Sequence, residues 1–241
     1  GVVIRCCLPK TAWPPTSAHD AEAVLANSSF SLASTAMDFS KNWVAGNSSP
    51  EIIFAYVNNS RASSPLNFTL YVNDTDGSWN YAPSDWCYNS LFADDNTLSR
   101  KGDVRLKATF TSQDANRVIK YPNGTYQLAE TSDYTCTPVV ISRISEMYLI
   151  KAEALGKTNG AAALVEYMKK RYTTAPSEAA IKALSDKEYQ TLILDERRRE
   201  FYAEGMRWQD IKRTNRLELL ETLDGRTYLM YYPIPQDEID M

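Results

Sequence analysis

The chain has 241 residues, 44% hydrophobic and 23% charged, with a formal net charge of -4. That length suits one large domain or two small ones, and the composition excludes a disordered chain. The acidic balance excludes a nucleic-acid partner, because phosphate binding needs clustered cations. No stretch is apolar for long enough to span a bilayer. The opening GVVIRCC has neither the apolar run of a signal peptide nor small residues before its cysteines, so it is not read as a lipoprotein signal. The four cysteines, Cys6, Cys7, Cys87 and Cys136, lack zinc spacing, and His19 is the single histidine. No metal or cofactor is therefore expected.

Two textures divide the chain. Residues 1–138 are rich in Asn, Ser, Thr, Asp and aromatic rings, and are read as a loop-rich ligand-binding region. Residues 139–241 are charge-dense and helical in pattern, and are read as a scaffold region of the same domain. Pro138 marks the boundary, since proline bars helix continuation upstream. In chain order, Ser17 and Asp20 form a capping-box-like start that predicts a helix over 18–26. A second helix is expected over 34–44. EIIFAYV (51–57) is a β-branched and aromatic run, read as a strand. Residues 58–85 carry turn formers and rings, the pattern of a long loop or loose hairpin. One or two helical turns follow over 84–92. Six Asn-x-Ser/Thr triplets, at Asn27, Asn47, Asn58, Asn67, Asn73 and Asn123, are read as features of polar loops rather than glycan acceptors.

In the second half, Ile144, Tyr148, Ala152 and Leu155 form one stripe and predict a helix over 141–155. GKTNG breaks it, and a further helix follows over 160–172, so the two make an αα-hairpin of the kind stacked in TPR-like proteins. Ser185 and Glu188 form a capping box that opens a helix running to Glu204. Gly205 is placed to end it in the left-handed conformation. A last helix covers 208–213, and TYLMYYPIPQDEIDM closes the chain with a short strand and a proline-fixed tail. The fold class is therefore mostly α, with TPR-like helical pairs, long irregular loops and a few short strands.

The densest charge lies in ILDERRREFYAEGMRWQDIKR (193–213). Tyr189, Leu192, Ile193, Glu196, Glu200 and Ala203 share one helical face. Two glutamates thus fall on a stripe that its apolar residues mark as buried, where a carboxylate needs cationic partners. Arginines at 143, 197, 198, 199, 207 and 213 are the candidates. A buried Glu/Arg network joining helices, with Trp208 packed beside it, accounts for the pattern. The competing reading makes Glu196 and Glu200 a catalytic acid pair. That chemistry needs two carboxylates across an open cleft, and the surrounding arginines would hold both ionised.

RISEMYLIKAEAL (143–155), DERRREFYAEGMRWQDIKR (195–213) and YYPIPQDEI (231–239), in this order, resemble the C-terminal part of the SusD/RagB family. SPEIIFAY (49–56) and DVR (103–105) match further family positions. The resemblance implies a non-enzymatic outer-membrane nutrient-binding lipoprotein of Bacteroidetes. Such proteins bind oligosaccharide at the cell surface and deliver it to a SusC-like TonB-dependent transporter. The chain is shorter than the family usually is, so the resemblance places the lipid anchor on a full-length protein and not within these residues.

Sugar recognition needs aromatic faces for CH surfaces and polar groups for hydroxyls. That chemistry concentrates in DTDGSWNYAPSDWCYN (74–89), with Trp79, Tyr81 and Trp86 as rings and Asp76, Asn80 and Asp85 as polar partners. Trp86 has a second reading, as an anchor of a short helix into the core. Trp13 is a weaker candidate, and Trp43 and Trp208 read as core. NDTDG hints at a calcium loop but lacks the glutamate at its twelfth position. Three functions stay open on these residues: a glycan-binding module, a helical-repeat adaptor for proteins, and a hydrolase.

Overall fold

The computed structural model describes residues 15–57, 82–111, 117–121 and 138–219. Helix α1 (Pro15–Leu25) begins earlier than expected. Proline at a first helical position gives up no needed hydrogen bond and has its φ preset, so Pro15 rather than Ser17 opens the helix. The expected second helix is two short ones, α2 (Ala36–Ser40) and α3 (Asn42–Ala45), divided at Lys41. The Thr35 side chain caps α2 by accepting from the Asp38 amide. Strand β1 (Ile52–Tyr56) follows, then a π-helical turn (Cys87–Leu91), strand β2 (Lys101–Asp103) and helix α4 (Val104–Thr109).

The helix expected from residue 141 begins only at Ile144, because Val139–Arg143 form strand β3. Its branched residues pair antiparallel with β1, Ala55 facing Val140 and Ile52 facing Arg143. Asn47 protects the same stretch: its side-chain amide both accepts from the Ala55 N–H and donates to the Ala55 carbonyl, at 2.7 and 2.9 Å.

Helix α5 (Ile144–Arg171) is the expected αα-hairpin. Its two arms are joined at Gly156, whose backbone at φ 66°, ψ 177° is open chiefly to glycine. The break is thus one residue wide, and the second arm starts before Gly160. Tyr148 of the first arm donates to Glu166 of the second. Gly160 lets the arms approach: a Cβ there would stand 2.2 Å from the Ala152 carbonyl oxygen. Strand β4 (Tyr172–Thr174) pairs antiparallel with β2. Helices α6 (Glu178–Ala183), α7 (Asp186–Glu200) and α8 (Met206–Thr214) complete the scaffold. Ser185 and Glu188 form the expected capping box.

The apolar core lies between the α5 arms and α7, with Leu149, Leu164, Met168, Tyr189 and Ile193 buried together. Helix α1 adds Ala21 to Ile144, Met147 and Ile150 of α5. The chain is thus mostly α-helical with TPR-like pairs and a few short strands.

Candidate functional site

The face of α7 read as buried is buried: Glu196 and Glu200 expose nothing to solvent. Their cationic partners come from α7 itself and from three other places in the chain. Glu196 is held by Arg105 of α4 at 2.8 Å and Arg199 at 2.9 Å. Glu200 is held by Arg143 at 2.6 Å, Arg171 at 2.9 Å and Arg105 at 3.3 Å. Arg171 and Arg143 also reach Glu51, and Arg143 and Lys120 reach Glu204. Asp103 accepts from the same Arg105 Nη2 at 2.7 Å and from its Nε at 2.8 Å. Five cations (Arg105, Lys120, Arg143, Arg171, Arg199) thus meet five carboxylates (Glu51, Asp103, Glu196, Glu200, Glu204) in one connected cluster. Tyr167 and Tyr172 donate their hydroxyls to Glu200 and Glu196.

This cluster explains why α7 ends at Glu200 rather than at Glu204. The carbonyl oxygen of Glu200 accepts from Arg143 and Lys120, that of Tyr202 accepts from Lys120, and that of Ala203 from Tyr121. Side chains therefore satisfy carbonyls at this helix end, as its missing intrahelical bonds require. Gly205 is left-handed as expected, at φ 74°, but it opens α8 instead of ending α7.

Burial alone would raise the two glutamates. The arginines override it: Arg105 and Arg199 hold Glu196 below its ordinary value, and Arg171 and Arg143 hold Glu200 well below. Carboxylates that are ionised, saturated with donors and cut off from solvent have no proton to give and no route to a substrate. The catalytic reading of this pair fails on those grounds, and the network reading holds. Two of the arginines, Arg105 and Arg171, are not among the candidates read from the sequence: they lie 95 and 29 residues from Glu200, and no local pattern points to either. Trp208 corrects another expectation. It is 37% exposed, since α8 turns Asp210 and Ile211 inward instead.

The sugar-site candidates divide differently. Asp76, Trp79, Asn80 and Tyr81 lie outside the described residues, as do Trp13 and the NDTDG segment. Asp85 and Trp86 are described, and both are exposed; Trp86 leads into the π-helical turn. Trp86 is 42% exposed, so it does not anchor that turn in the core. Cys87 and Leu91 do so, packing with Phe92, Phe110 and Val118. The Arg199 side chain fastens the turn to α7 by donating to the Leu91 carbonyl. The Trp86 ring meets Arg198 of α7, whose guanidinium carbon lies 4.2 Å from the ring centroid. Trp43, by contrast, is fully buried beside Phe39 and Ala108, as expected of a core ring.

Of the arginines read from the sequence as network candidates, Arg143 and Arg199 hold the glutamates; Arg197 and Arg213 pair with Asp210 instead, and Arg198 and Arg207 make no ion pair among the described residues, Arg198 standing apart over Trp86. A signal was available: it lies two positions from both Glu196 and Glu200, and residues two apart on a helix do not share a face. Among the described residues no group of three or more His, Cys, Asp or Glu is placed to hold a metal ion, and no helix is long and apolar enough to cross a membrane.

Comparison with known proteins agrees with this architecture. The family model described as the SusD family matches residues 94–241. SusD-like protein P38 of Formosa agariphila is 30% identical over 142 residues, which is 54% of this chain and 27% of that relative. Among solved structures, surface glycan-binding protein A from Bacteroides thetaiotaomicron superposes with a TM-score of 0.62 at 21% identity, over 94% of this chain and 57% of its own. A laminarin binding SusD-like protein superposes with a TM-score of 0.53 at 19% identity, over 93% of this chain and 55% of its own. The chain therefore spans about a quarter of the curated relative and little more than half of these two structures. The matched stretch runs from the π-helical turn's far side through every member of the ion cluster but Glu51 and beyond α8, and on that match the chain belongs to the SusD family.

Proposed function

We propose that this chain is part of a non-catalytic, cell-surface glycan-binding protein, and that its loop-rich region contacts the oligosaccharide. The observation that carries the reading is the exposed Trp86 ring. It is held outward by a turn whose own core contacts are made by Cys87 and Leu91. A tryptophan face gathers the CH surface of a pyranose by burying apolar area, and Asp85 beside it offers a carboxylate for hydroxyls. Trp79, Tyr81, Asp76 and Asn80 are proposed to extend the same platform. The names of the structural relatives support a carbohydrate ligand, one of them being a laminarin binding protein. Delivery to a SusC-like TonB-dependent transporter, a lipid anchor on the full-length protein and an outer-membrane location rest on family membership alone.

The test is a glycan panel read by calorimetry, on this chain and on a version extended to the length of its relatives. Trp86→Ala should weaken binding about thirtyfold, the effect of losing one large anchor ring, while leaving the melting temperature unchanged. Full affinity in that variant would remove Trp86 from the site. A protein that binds no glycan at either length would favour the adaptor reading.

A further inference from the structure

Strand β1 breaks its own pleat. Ile52 is buried, and a period of two would turn Phe54 and Tyr56 to the same inner face. The pairing with β3 shows why they do not follow it. From Ile52 to Phe54 the strand advances two residues, while β3 steps back one, from Arg143 to Ser142. Ile53 is thus the extra residue of a bulge, and bulges re-aim the side chains around them. Ile53 packs with Ala21, Ile144, Met147 and Ile150. Ala55 takes the next buried place, and Phe54 and Tyr56 both stand outward, 43% and 61% exposed.

Asn47 holds this arrangement in place. Its side-chain amide engages both the N–H and the carbonyl of Ala55. Those are the backbone groups that an added strand would need, so recognition by β-strand addition is closed at this residue. What the strand offers a ligand is its rings. The two meet edge to face, with centroids 5.0 Å apart and planes at 72°, a geometry that is favourable in itself.

Two ring planes at that angle form a corner. One wall fits the CH face of a pyranose by burying apolar area. The other fits the flank of the same sugar, where a hexopyranose carries its C6 methylene and a pentopyranose carries nothing. Area separates a sugar from a protein partner. Among the described residues of β1 and its flank, the exposed large apolar side chains are Phe54, Tyr56 and Val57. At roughly half exposure they offer on the order of 300 Å², whereas a stable protein interface takes about 800 Å² from each partner.

We propose that Phe54 and Tyr56 form a ring corner that binds a hexopyranose residue of the glycan, in addition to the Trp86 face. The proposal rests on the glycan-binding reading above; it adds a subsite on β1 and narrows the class of sugar.

Calorimetry with the same glycan panel, on the protein at both lengths, tests this. Phe54→Leu and Tyr56→Leu keep an apolar side chain on the strand but remove the flat face. Each should weaken the best panel ligand about tenfold, with the melting temperature unchanged. Phe54→Tyr keeps the ring face and should keep the affinity. The best ligand should contain hexopyranose residues. Xylo-oligosaccharides, which match cello-oligosaccharides except for the missing C6 group, should bind at least about fourfold more weakly than that ligand, the effect of one buried methylene.

Leucine variants that bind as tightly as the parent, with Trp86→Ala still weakening the same ligand, would remove the corner from the site and leave the glycan reading standing. Pentose oligomers that bind as tightly as the best hexose ligand would overturn the hexopyranose class. A protein that binds nothing on the panel at either length would defeat the glycan reading and the ring corner together.

Discussion

The Arg105 guanidinium and the Glu196 carboxylate meet at 2.8 Å, 91 residues apart in the chain and both fully buried. Arg105 follows strand β2, and Glu196 lies on the inward stripe of α7. Their contact ties the β2–α4 segment to the helical scaffold, and Glu200 extends the tie to Glu51's partners Arg143 and Arg171. Such a cluster is weak evidence of net stability, because desolvating ten charges offsets their attraction. Its stronger effect is on arrangement: few other placements of these elements would pair every charge.

Removing one member should therefore be costly where an exposed pair is not. Glu200→Gln leaves Arg143, Arg171 and Arg105 with less compensating charge in a site closed to water, and about 3–5 kcal/mol should be lost. Lys182→Gln breaks a pair whose side chains are nearly half exposed, and under about 1 kcal/mol should follow. Denaturant titration of the two variants separates these outcomes. Equal small losses would mean that the cluster is hydrated in solution.

The hairpin of α5 depends on one missing side chain. Gly160→Ala would set a Cβ 2.2 Å from the Ala152 carbonyl oxygen and 2.7 Å from the Tyr189 hydroxyl. That hydroxyl donates to the same carbonyl at 2.9 Å, so the intrusion strikes a contact that also fastens α7. Alanine favours helix locally, but two backbones must separate to admit it. We expect a net loss of about 1–3 kcal/mol, the usual range for overpacking. A melting temperature that rises, as helix propensity alone would dictate, would refute this account of the hairpin.

Acid should dismantle the cluster before it affects the apolar core. Glu196 and Glu200 hold folded values below the 4.5 of a free glutamate, and Asp210 lies below 3.8. In each, burial works upward and neighbouring arginines outweigh it. Groups depressed by folding contribute stability above their unfolded values and lose it as pH falls through the folded ones. Asp195, raised by burial, acts with the opposite sign and softens the limb. Stability measured in denaturant should thus be level near neutral pH and fall below about pH 4.5. Glu200→Gln should show a shallower fall; an unchanged slope would mean that other carboxylates govern it.

Local signals made much of this fold legible. The capping box at Ser185 and the stripe through Tyr189, Leu192 and Ile193 placed α7, and the glycine at 156 placed the hairpin. Junctions governed by distant partners were hidden. Val139–Ile141 reads equally well as helix or strand until β1 is there to pair with it. Nothing local reveals that the carbonyl oxygens of Glu200 and Tyr202 will accept from Lys120, some 80 residues away. For the same reason Arg105 and Arg171 were missed as partners of the glutamates. At the candidate site, ring-rich composition pointed to Trp86. Its exposure followed only from the burial of Cys87 and Leu91, which composition does not rank.

The last prediction concerns Lys120, whose ammonium is fully buried 4.5 Å from the Trp43 ring centroid. It donates to the Glu200 and Tyr202 carbonyls, each at 2.9 Å, and to the Glu204 carboxylate. Burial pulls its pKa down from 10.5 to about 8, with Glu204 opposing and Arg143 assisting. Below about pH 8 both folded and unfolded chains hold the proton. Between about 8 and 10.5 the unfolded chain holds it more firmly, so stability should rise with pH, by roughly 3 kcal/mol at most. The buried tyrosines Tyr167, Tyr172 and Tyr189, all raised by burial, act the other way once unfolded phenols ionise above about pH 10. The rise should therefore peak near pH 10 and turn over. Lys120→Met should abolish the rise while keeping the fall, and denaturant midpoints taken across this range will show both limbs. A parent protein whose stability is flat or declining from pH 8 to 9.5 would show that the lysine keeps its proton there, held by the three oxygens and the ring.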